Sequence, residues 1–469
     1  MSWRTNKRIL AHSPWETIPV SERNDFVTWT INHLWSIYKE YCMKSETILQ
    51  TTIDNTSFLI PNGTVNKEYS AILNIPKTEE AEIQKVEITG LPKESGLSIE
   101  RDPDGTKLHI KGSPLQASSY SLQLCYECTL PNQEKSISIK SKKFPLIINP
   151  DPRSLWKDLP YTGNLYPKEN EAKDYKIVPA IDGKPQKDIV AASKRGRSHA
   201  HEGKPRDDDF SIEYLESGWY ILSVADGAGS AKYSREGSRI ACETVKKHCS
   251  EKLSSSNTSV FEQHIIEYQN NELPEKRQTL SKPVGDDLYH IVGEAAFKAQ
   301  KAIEEEAKAN QTISKDYATT LLLVICKKFD FGWFIASFWV GDGAICIYNK
   351  DKKYAKLLGI PDGGEYAGQT RFLTMPEIFS NPTALYQRLR FSIEEDFTAL
   401  FLMSDGVSDP FFETDANLNN PQKWDEFWEN LSKEVNLIDD NEESKVQLLK
   451  WLDFWSAGNH DDRTIVILY

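Results

Sequence analysis

No apolar run in this chain approaches the roughly 18 residues that a membrane-spanning helix needs. Cysteine is sparse and odd in number, seven in 469 residues, which does not make the even, closely spaced set of a disulfide scaffold. The opening stretch, Met1 to Trp15, mixes Arg4, Lys7 and Arg8 with polar groups and has no secretory apolar segment. Positive charge is in deficit: 56 Lys and Arg stand against 69 Asp and Glu, a formal net charge of −13. Polyanion binding draws its affinity from Lys and Arg near phosphates, so nucleic acid is not an expected partner. Together these absences predict a soluble, cytoplasmic protein with neither membrane nor nucleic acid as partner.

Aromatic residues, by contrast, are plentiful. With 12 Trp, 19 Tyr and 19 Phe, and 39% hydrophobic residues, real cores can be filled. The length suggests more than one domain. The acidic excess is either solvated surface or the raw material of a site for hard divalent cations.

Along the chain the hydrophobic period changes. Val27, Ile31, Leu34, Tyr38 and Tyr41 recur at helical spacing between Ser21 and Cys42. Later, Tyr120, Leu122, Leu124, Tyr126 and Cys128 alternate with Ser121, Gln123, Cys125 and Glu127, the pattern of a half-buried strand. Turn residues punctuate this region at Pro61-Asn62-Gly63, Asp102-Pro103-Asp104-Gly105 and Gly112-Ser113-Pro114. The expected division is a helical segment over 1–48, a small β-sandwich over 49–150, a linker over 151–190 and a larger domain over 191–469. In that last part helices sit between groups of strands without strict alternation, which predicts an α+β layer fold with antiparallel sheets.

The phrases Gly90-Leu91-Pro92, Gly96-Leu97-Ser98-Ile99 and Lys111-Gly112-Ser113-Pro114, followed by Tyr120, resemble immunoglobulin-like repeats of bacterial multidomain proteins. The resemblance implies a binding or spacer module. The pair Cys125-Tyr-Glu-Cys128 in this region is either an ordinary strand or half of a zinc site, but no second pair stands at zinc spacing.

Five acidic signals share a local design, most of them an apolar run leading into Asp with Gly behind it. They are Asp208 in Arg206-Asp-Asp-Asp-Phe210, Asp226 in Val224-Ala-Asp-Gly-Ala-Gly-Ser230, Asp342 in Val340-Gly-Asp-Gly343, Asp405 in Met403-Ser-Asp-Gly-Val-Ser-Asp409, and Asp461 in Gly458-Asn-His-Asp-Asp-Arg-Thr464. An Asp at a strand end carries its carboxylate on a rigid element, and the Gly lets the backbone turn sharply behind it. Carboxylates and carbonyls are the ligands Mg²⁺ and Mn²⁺ prefer. Singly, each Asp-Gly is as well explained by a turn.

In order, with Tyr-Ala-Thr-Thr at 317–320, these phrases resemble the PP2C phosphatases, particularly a bacterial branch with Gly196-Arg-Ser-His199, Val224-Ala-Asp-Gly-Ala-Gly-Ser-Ala231 and His460-Asp-Asp-Arg-Thr464. The resemblance implies two antiparallel sheets flanked by helices. It implies a protein-serine/threonine phosphatase that holds two or three Mn²⁺ or Mg²⁺ ions and attacks phosphomonoesters directly with a metal-bridging hydroxide. Asp226 would bridge the ions and the Gly227 carbonyl would bind one of them. Asp405 and Asp461 would hold one metal with that bridge, Asp208 would act through the second shell or water, and Asp342 and Asp409 would support a third ion.

The family's phosphate-gripping Arg, about five residues before the first Asp, is here Gly203, so Arg197, His199 or Arg206 would take its place. The register within Asp207-Asp208-Asp209 stays open by one residue. His199 and His460 would each serve as general acid or orient a neighbouring Asp, and, if they bind no ion, Asp409 would cap the Pro410-Phe411 segment and Asp342 would shape a hairpin turn. The resemblance also implies a phosphoprotein substrate and a partner protein kinase, with a catalytically weak regulatory module as the alternative.

Overall fold

The computed structural model describes residues 18–76, 81–103, 105–130, 136–163, 171–181, 184–254, 258–271, 273–362, 370–439 and 441–469. Asp104, the whole Met1–Trp15 stretch and residues 255–257 thus lie outside the described residues. The chain forms two compact units, Met1–Leu155 and Trp156–Tyr469. Among the described residues no helix is long and apolar enough to cross a membrane.

The first unit opens with one helix, Arg23–Asn55. It runs past residue 48, where a boundary was expected, because Leu49 and Ile53 are buried in the core of the strands that follow. Those strands make two sheets. In one, Gly63–Thr64, Phe144–Asn149, Ser118–Thr129 and Glu82–Thr89 lie side by side, with Ser136–Lys140 also on Ser118–Thr129; in the other, Lys107–Gly112 lies between Tyr69–Asn74 and Leu97–Arg101. The alternation at 120–128 holds: Tyr120, Leu122, Leu124, Tyr126 and Cys128 are all buried. Cys125 and Cys128 are free thiols on opposite faces of this strand, as the strand period dictates.

The second unit is a four-layer sandwich. One sheet orders Tyr354–Leu357, Ala344–Asn349, Ala399–Met403, Arg463–Leu468, Ile189–Lys194 and Ala172–Ile177; the other orders Asp209–Tyr214, Trp219–Ala225, Leu321–Phe329, Gly332–Val340 and Leu389–Glu394. Every pairing in both is antiparallel. Leu222, Val224, Leu322 and Val324 of one sheet meet Ile345, Leu400, Leu402 and Val466 of the other in the middle layer. Helices Ser234–Leu253 and Glu294–Ala309 cover the outer face of the second sheet, with Val245, Cys249, Ala299 and Ile303 packed on it. Helix Pro421–Glu434 covers the first through Trp424, Phe427 and Leu431. Central strands buried on both faces explain why their sequences are continuously apolar.

The stretch 151–190, expected as a linker, contributes an edge strand instead. Ala172–Ile177 pairs along its whole length with Ile189–Lys194. Its Lys176 forms a 2.7 Å ion pair with Asp188, and both side chains are shielded from solvent. Lys173 of the same strand likewise places its ammonium group against a buried carboxylate, that of Asp209, at 2.7 Å. A chain starting at Lys187 is therefore expected to lose roughly 3–5 kcal/mol through the stranded Asp188 charge, and more from the missing strand. One starting at Trp156 should unfold cooperatively at the full-length temperature. Thermal melts of the two truncations check this.

Candidate active site

Every sequence-expected Asp lies at one end of the sandwich, where strands of both sheets start or stop. Asp208 directly precedes Asp209–Tyr214, and Asp226 directly follows Trp219–Ala225; the pairing of Asp209 with Ala225 sets them side by side. Asp342 follows Gly332–Val340. Asp405 opens helix Asp405–Phe412 immediately beyond Ala399–Met403 and Ser404, and Asp461 and Asp462 precede Arg463–Leu468.

The phrase Tyr317-Ala-Thr-Thr320 fixes the Asp226 backbone. Thr320 Oγ1 accepts from the Asp226 N–H at 2.8 Å, while the Thr320 N–H and Thr319 Oγ1 donate to the Asp226 carbonyl at 2.7 and 2.9 Å. Gly227 is required by crowding, since a Cβ there would sit 2.7 Å from the Asp207 carbonyl oxygen and 2.9 Å from Ser234 Cβ. At Gly406 the approach is tighter still, with a Cβ only 1.8 Å from the Asp462 carbonyl oxygen. That contact closes the Asp405 turn against the Asp461–Asp462 turn.

Two groups of oxygen and nitrogen donors result. One oxygen from each of Asp226, Asp342 and Asp405 lies within 4.8 Å of the others, and His199, Asp461 and Asp462 form a second group on the same criterion. Among the described residues neither group contains a cysteine, so the zinc reading of Cys125 and Cys128 gains no support. The first group fits a hard divalent cation. Among the described residues Asp405 Oδ1 is buried without a hydrogen-bond partner, an arrangement costly for a carboxylate unless a cation faces it. Burial and then Asp342 push the Asp405 carboxyl up to about 7, and burial together with Asp208 and Asp405 raises Asp226. Asp409, four residues along the same helix, is pushed up to about 6 by burial and by the Asp342 charge. Such crowding is relieved by protons or by a bound cation.

The three consecutive acids 207–209 do three different things. Asp208 is buried, and its Oδ2 accepts from Ser404 Oγ at 2.8 Å and Thr464 Oγ1 at 2.7 Å, tying both neighbouring turns together. Asp209 faces away, paired with Arg235 Nη1 and Lys173 Nζ, both at 2.7 Å. Burial would raise its carboxyl, but Arg235, Arg206 and Lys173 hold it well below the ordinary range. Asp207 Oδ2 lies 3.8 Å from His199 Nε2. His199 itself is buried with Nδ1 3.0 Å from Asp462 Oδ2. Burial opposes its charge, yet Asp462, Asp207 and Asp461 raise it to about 9.

Asp462 is the residue that motif reading missed. It accepts from the Gly196 N–H at 2.6 Å, the Asp207 N–H at 2.5 Å and His199, so it joins the loops that start at 196 and 207 to the strand Arg463–Leu468. The doubled Asp in His460-Asp-Asp-Arg was the available signal. One acid of the pair is exposed and one buried.

The two proposed phosphate-gripping arginines are not free to do so. Arg206 is wholly buried and donates to Ser193 Oγ and to the Asp208 carbonyl, at 2.5 and 2.6 Å. A guanidinium among backbone carbonyls inside the sandwich cannot reach a substrate, so this expectation is corrected. Arg197 donates to the Phe454 and Asp453 carbonyls and the Asp453 carboxylate, with its guanidinium over the Trp455 ring. It braces the 453–455 turn. His460 packs between Trp156 and Trp455, ring centroids 4.4 and 5.2 Å away, and among the described residues its Nδ1 is buried without a hydrogen-bond partner. Arg206→Ala is expected to lower stability by at least about 2 kcal/mol, since it strands buried polar partners, and to leave KM of the folded protein unchanged. Denaturant melts and steady-state kinetics separate the two effects.

Comparison with known proteins places this arrangement. Residues 195–453 match the family model for protein phosphatase 2C, more than half of the chain. A bacterial serine phosphatase structure is 15% identical with a TM-score of 0.34, covering 60% of this chain and 96% of its own. The S. agalactiae serine/threonine phosphatase is 19% identical with a TM-score of 0.35, covering 61% and 99%. The catalytic domain of the serine threonine protein phosphatase PstP, in complex with two manganese ions, is 14% identical with a TM-score of 0.33, covering 60% and 96%. A search among curated proteins found no match. With the family model covering more than half of the chain, Asp226, Asp342 and Asp405 included, the chain belongs to the protein phosphatase 2C family.

Proposed function

We propose that the second unit hydrolyses phosphoserine and phosphothreonine in protein substrates, with Mn²⁺ or Mg²⁺ held by Asp226, Asp342, Asp405 and Asp461 and by the Gly227 carbonyl. The carrying observation is the unpartnered, buried Asp405 Oδ1 beside Asp226 and Asp342, in a chain of this family. Bound divalent ions supply Lewis acidity and an activated water near neutral pH. The protein's own part is to hold these carboxylates rigid.

Asp226 does so through its threonine-clamped backbone, and Asp208 does so indirectly, by locking the Ser404 and Thr464 turns that carry Asp405 and Asp461. His199 keeps a proton between Asp462 and Asp207 and so orients the loop that carries them. The first unit, read as an immunoglobulin-like spacer, would present this site to its phosphoprotein.

Hydrolysis of an aryl phosphate by the purified chain, with Mn²⁺ or Mg²⁺ and then with excess chelator, tests the reading. Turnover that needs the metal supports it, and metal binding without turnover assigns the fold a regulatory role. Asp342→Ala and Asp409→Ala are each expected to raise the metal concentration for half-maximal activity by about tenfold, the scale of one lost carboxylate contact. Metal titrations monitored by activity and by calorimetry check this, and a wild-type curve for Asp409→Ala would make it a plain helix residue.

A further inference from the structure

We propose that helix Arg23–Asn55 is a self-association element whose apolar stripe packs against the same stripe of a second copy of this chain. The helix is 33 residues long, but its anchorage lies at the C-terminal end, where Leu49 and Ile53 enter the core and Gln50 donates to the Lys140 carbonyl at 3.0 Å. At 1.5 Å per residue the part before Leu49 extends for about 39 Å.

That part is a poor helix by itself. It is rich in β-branched and aromatic residues, and Thr28, Thr30, Ser45 and Thr47 each donate back to the carbonyl four residues earlier. Its N-terminus has no side-chain cap. A helix of such composition draws its stability from a packing surface.

The sequence supplies the surface. Val27, Ile31, Leu34, Tyr38 and Tyr41 follow the alternating four- and three-residue steps of a heptad seam that Ser45 and Ile48 continue, flanked by Trp35 and Ile37; Val27, Leu34 and Tyr38 are half-buried within the chain itself. Trp35 and Tyr41 remain 56% and 60% exposed, and Ile31, Ile37 and Ile48 are exposed as well. At about 150–250 Å² per aromatic side chain, and less per isoleucine, the stripe offers on the order of 500–600 Å² per copy. A symmetric pair would bury about 1,000–1,200 Å², enough for a specific interface.

Charge selects the occupant. Within residues 23–48, Arg23, Lys39 and Lys44 balance Asp25, Glu40 and Glu46, three against three, whereas the whole chain carries −13. A helix lying on an anionic membrane would show a basic polar face, and a strongly charged partner would need the opposite sign here. A neutral seam suits its own copy, whose approach it does not repel.

Sedimentation of the full-length chain from sub-micromolar to tens of micromolar concentration tests the proposal. The expected species is twice 53.5 kDa, giving way to monomer on dilution. Leu34→Glu combined with Tyr41→Glu should shift the midpoint by at least about 100-fold, because each places a charge in the seam. Lys39→Glu, outside the seam, should leave it unchanged. A wild type that stays monomeric throughout overturns the proposal, as does a dimer with an unaltered midpoint in the double variant. A wild-type monomer that associates only after removal of residues 1–17 would assign the stripe to those residues, and that too overturns it.

Discussion

Asp226→Asn is expected to lower metal-dependent aryl phosphate hydrolysis by at least about 10³-fold, the scale of losing a key transition-state stabiliser. The side chain has no compensating neighbour. Asp342 and Asp405 each bring an oxygen within 4.8 Å of it, and an amide in its place offers the same cation a weaker ligand. The backbone clamp from Thr319 and Thr320 is untouched by the substitution, so the fold should persist. Thermal unfolding of the apo proteins supplies a readout besides turnover. Removing one member of a crowded carboxylate group relieves repulsion, so apo Asp226→Asn should melt at or above the apo wild-type temperature while gaining less from added Mn²⁺. Near-normal turnover by the metal-stripped variant would sink the metal-dependent mechanism.

Much of this site was legible because strand ends announce themselves. An apolar run that stops at Asp-Gly marks both where the carboxylate stands and why the chain can turn there, and Asp226, Asp342 and Asp405 all follow that rule. What the residue pattern hid was the division of labour among neighbours of the same type. Asp207, Asp208 and Asp209 look alike in sequence, yet the strand period sends Asp209 to Arg235 and Asp208 to Ser404 and Thr464. Only the pairing of Asp209 with Ala225 fixes that register.

The buried role of Asp462 was hidden for the same reason, since its partners are backbone N–H groups that any sequence provides. Arg206 misled in the opposite direction. A cation beside three acids suggests a surface site for phosphate, and folding turned it inward to the Ser193 hydroxyl and the Asp208 carbonyl. The edge strand Ala172–Ile177 escaped notice because it alternates weakly and carries lysines whose partners lie far along the chain.

Asp209→Ala should be the most destabilising single change at this end of the sandwich, with activity lost only through unfolding. Its carboxylate takes Arg235 and Lys173 as direct partners, and Arg206 lies close enough to lower it further. Arg235 and Arg206 are buried, so truncating Asp209 removes the ion-pair partner of Arg235 and a nearby counter-charge of Arg206 inside the protein. Breaking a buried pair in this way costs roughly 3–5 kcal/mol. The depressed native carboxyl also fixes the sign of the pH dependence. Its contribution is complete above the unfolded value of about 3.9 and fades as pH falls toward the lower native value. The stability difference between wild type and Asp209→Ala should therefore be flat from about pH 7 to about pH 5 and shrink below about pH 4. Urea melts of both proteins across that range measure it directly. A difference below about 1 kcal/mol at neutral pH would mean that water reaches the two arginines, and that the pair with Asp209 is not what holds this corner of the sandwich closed.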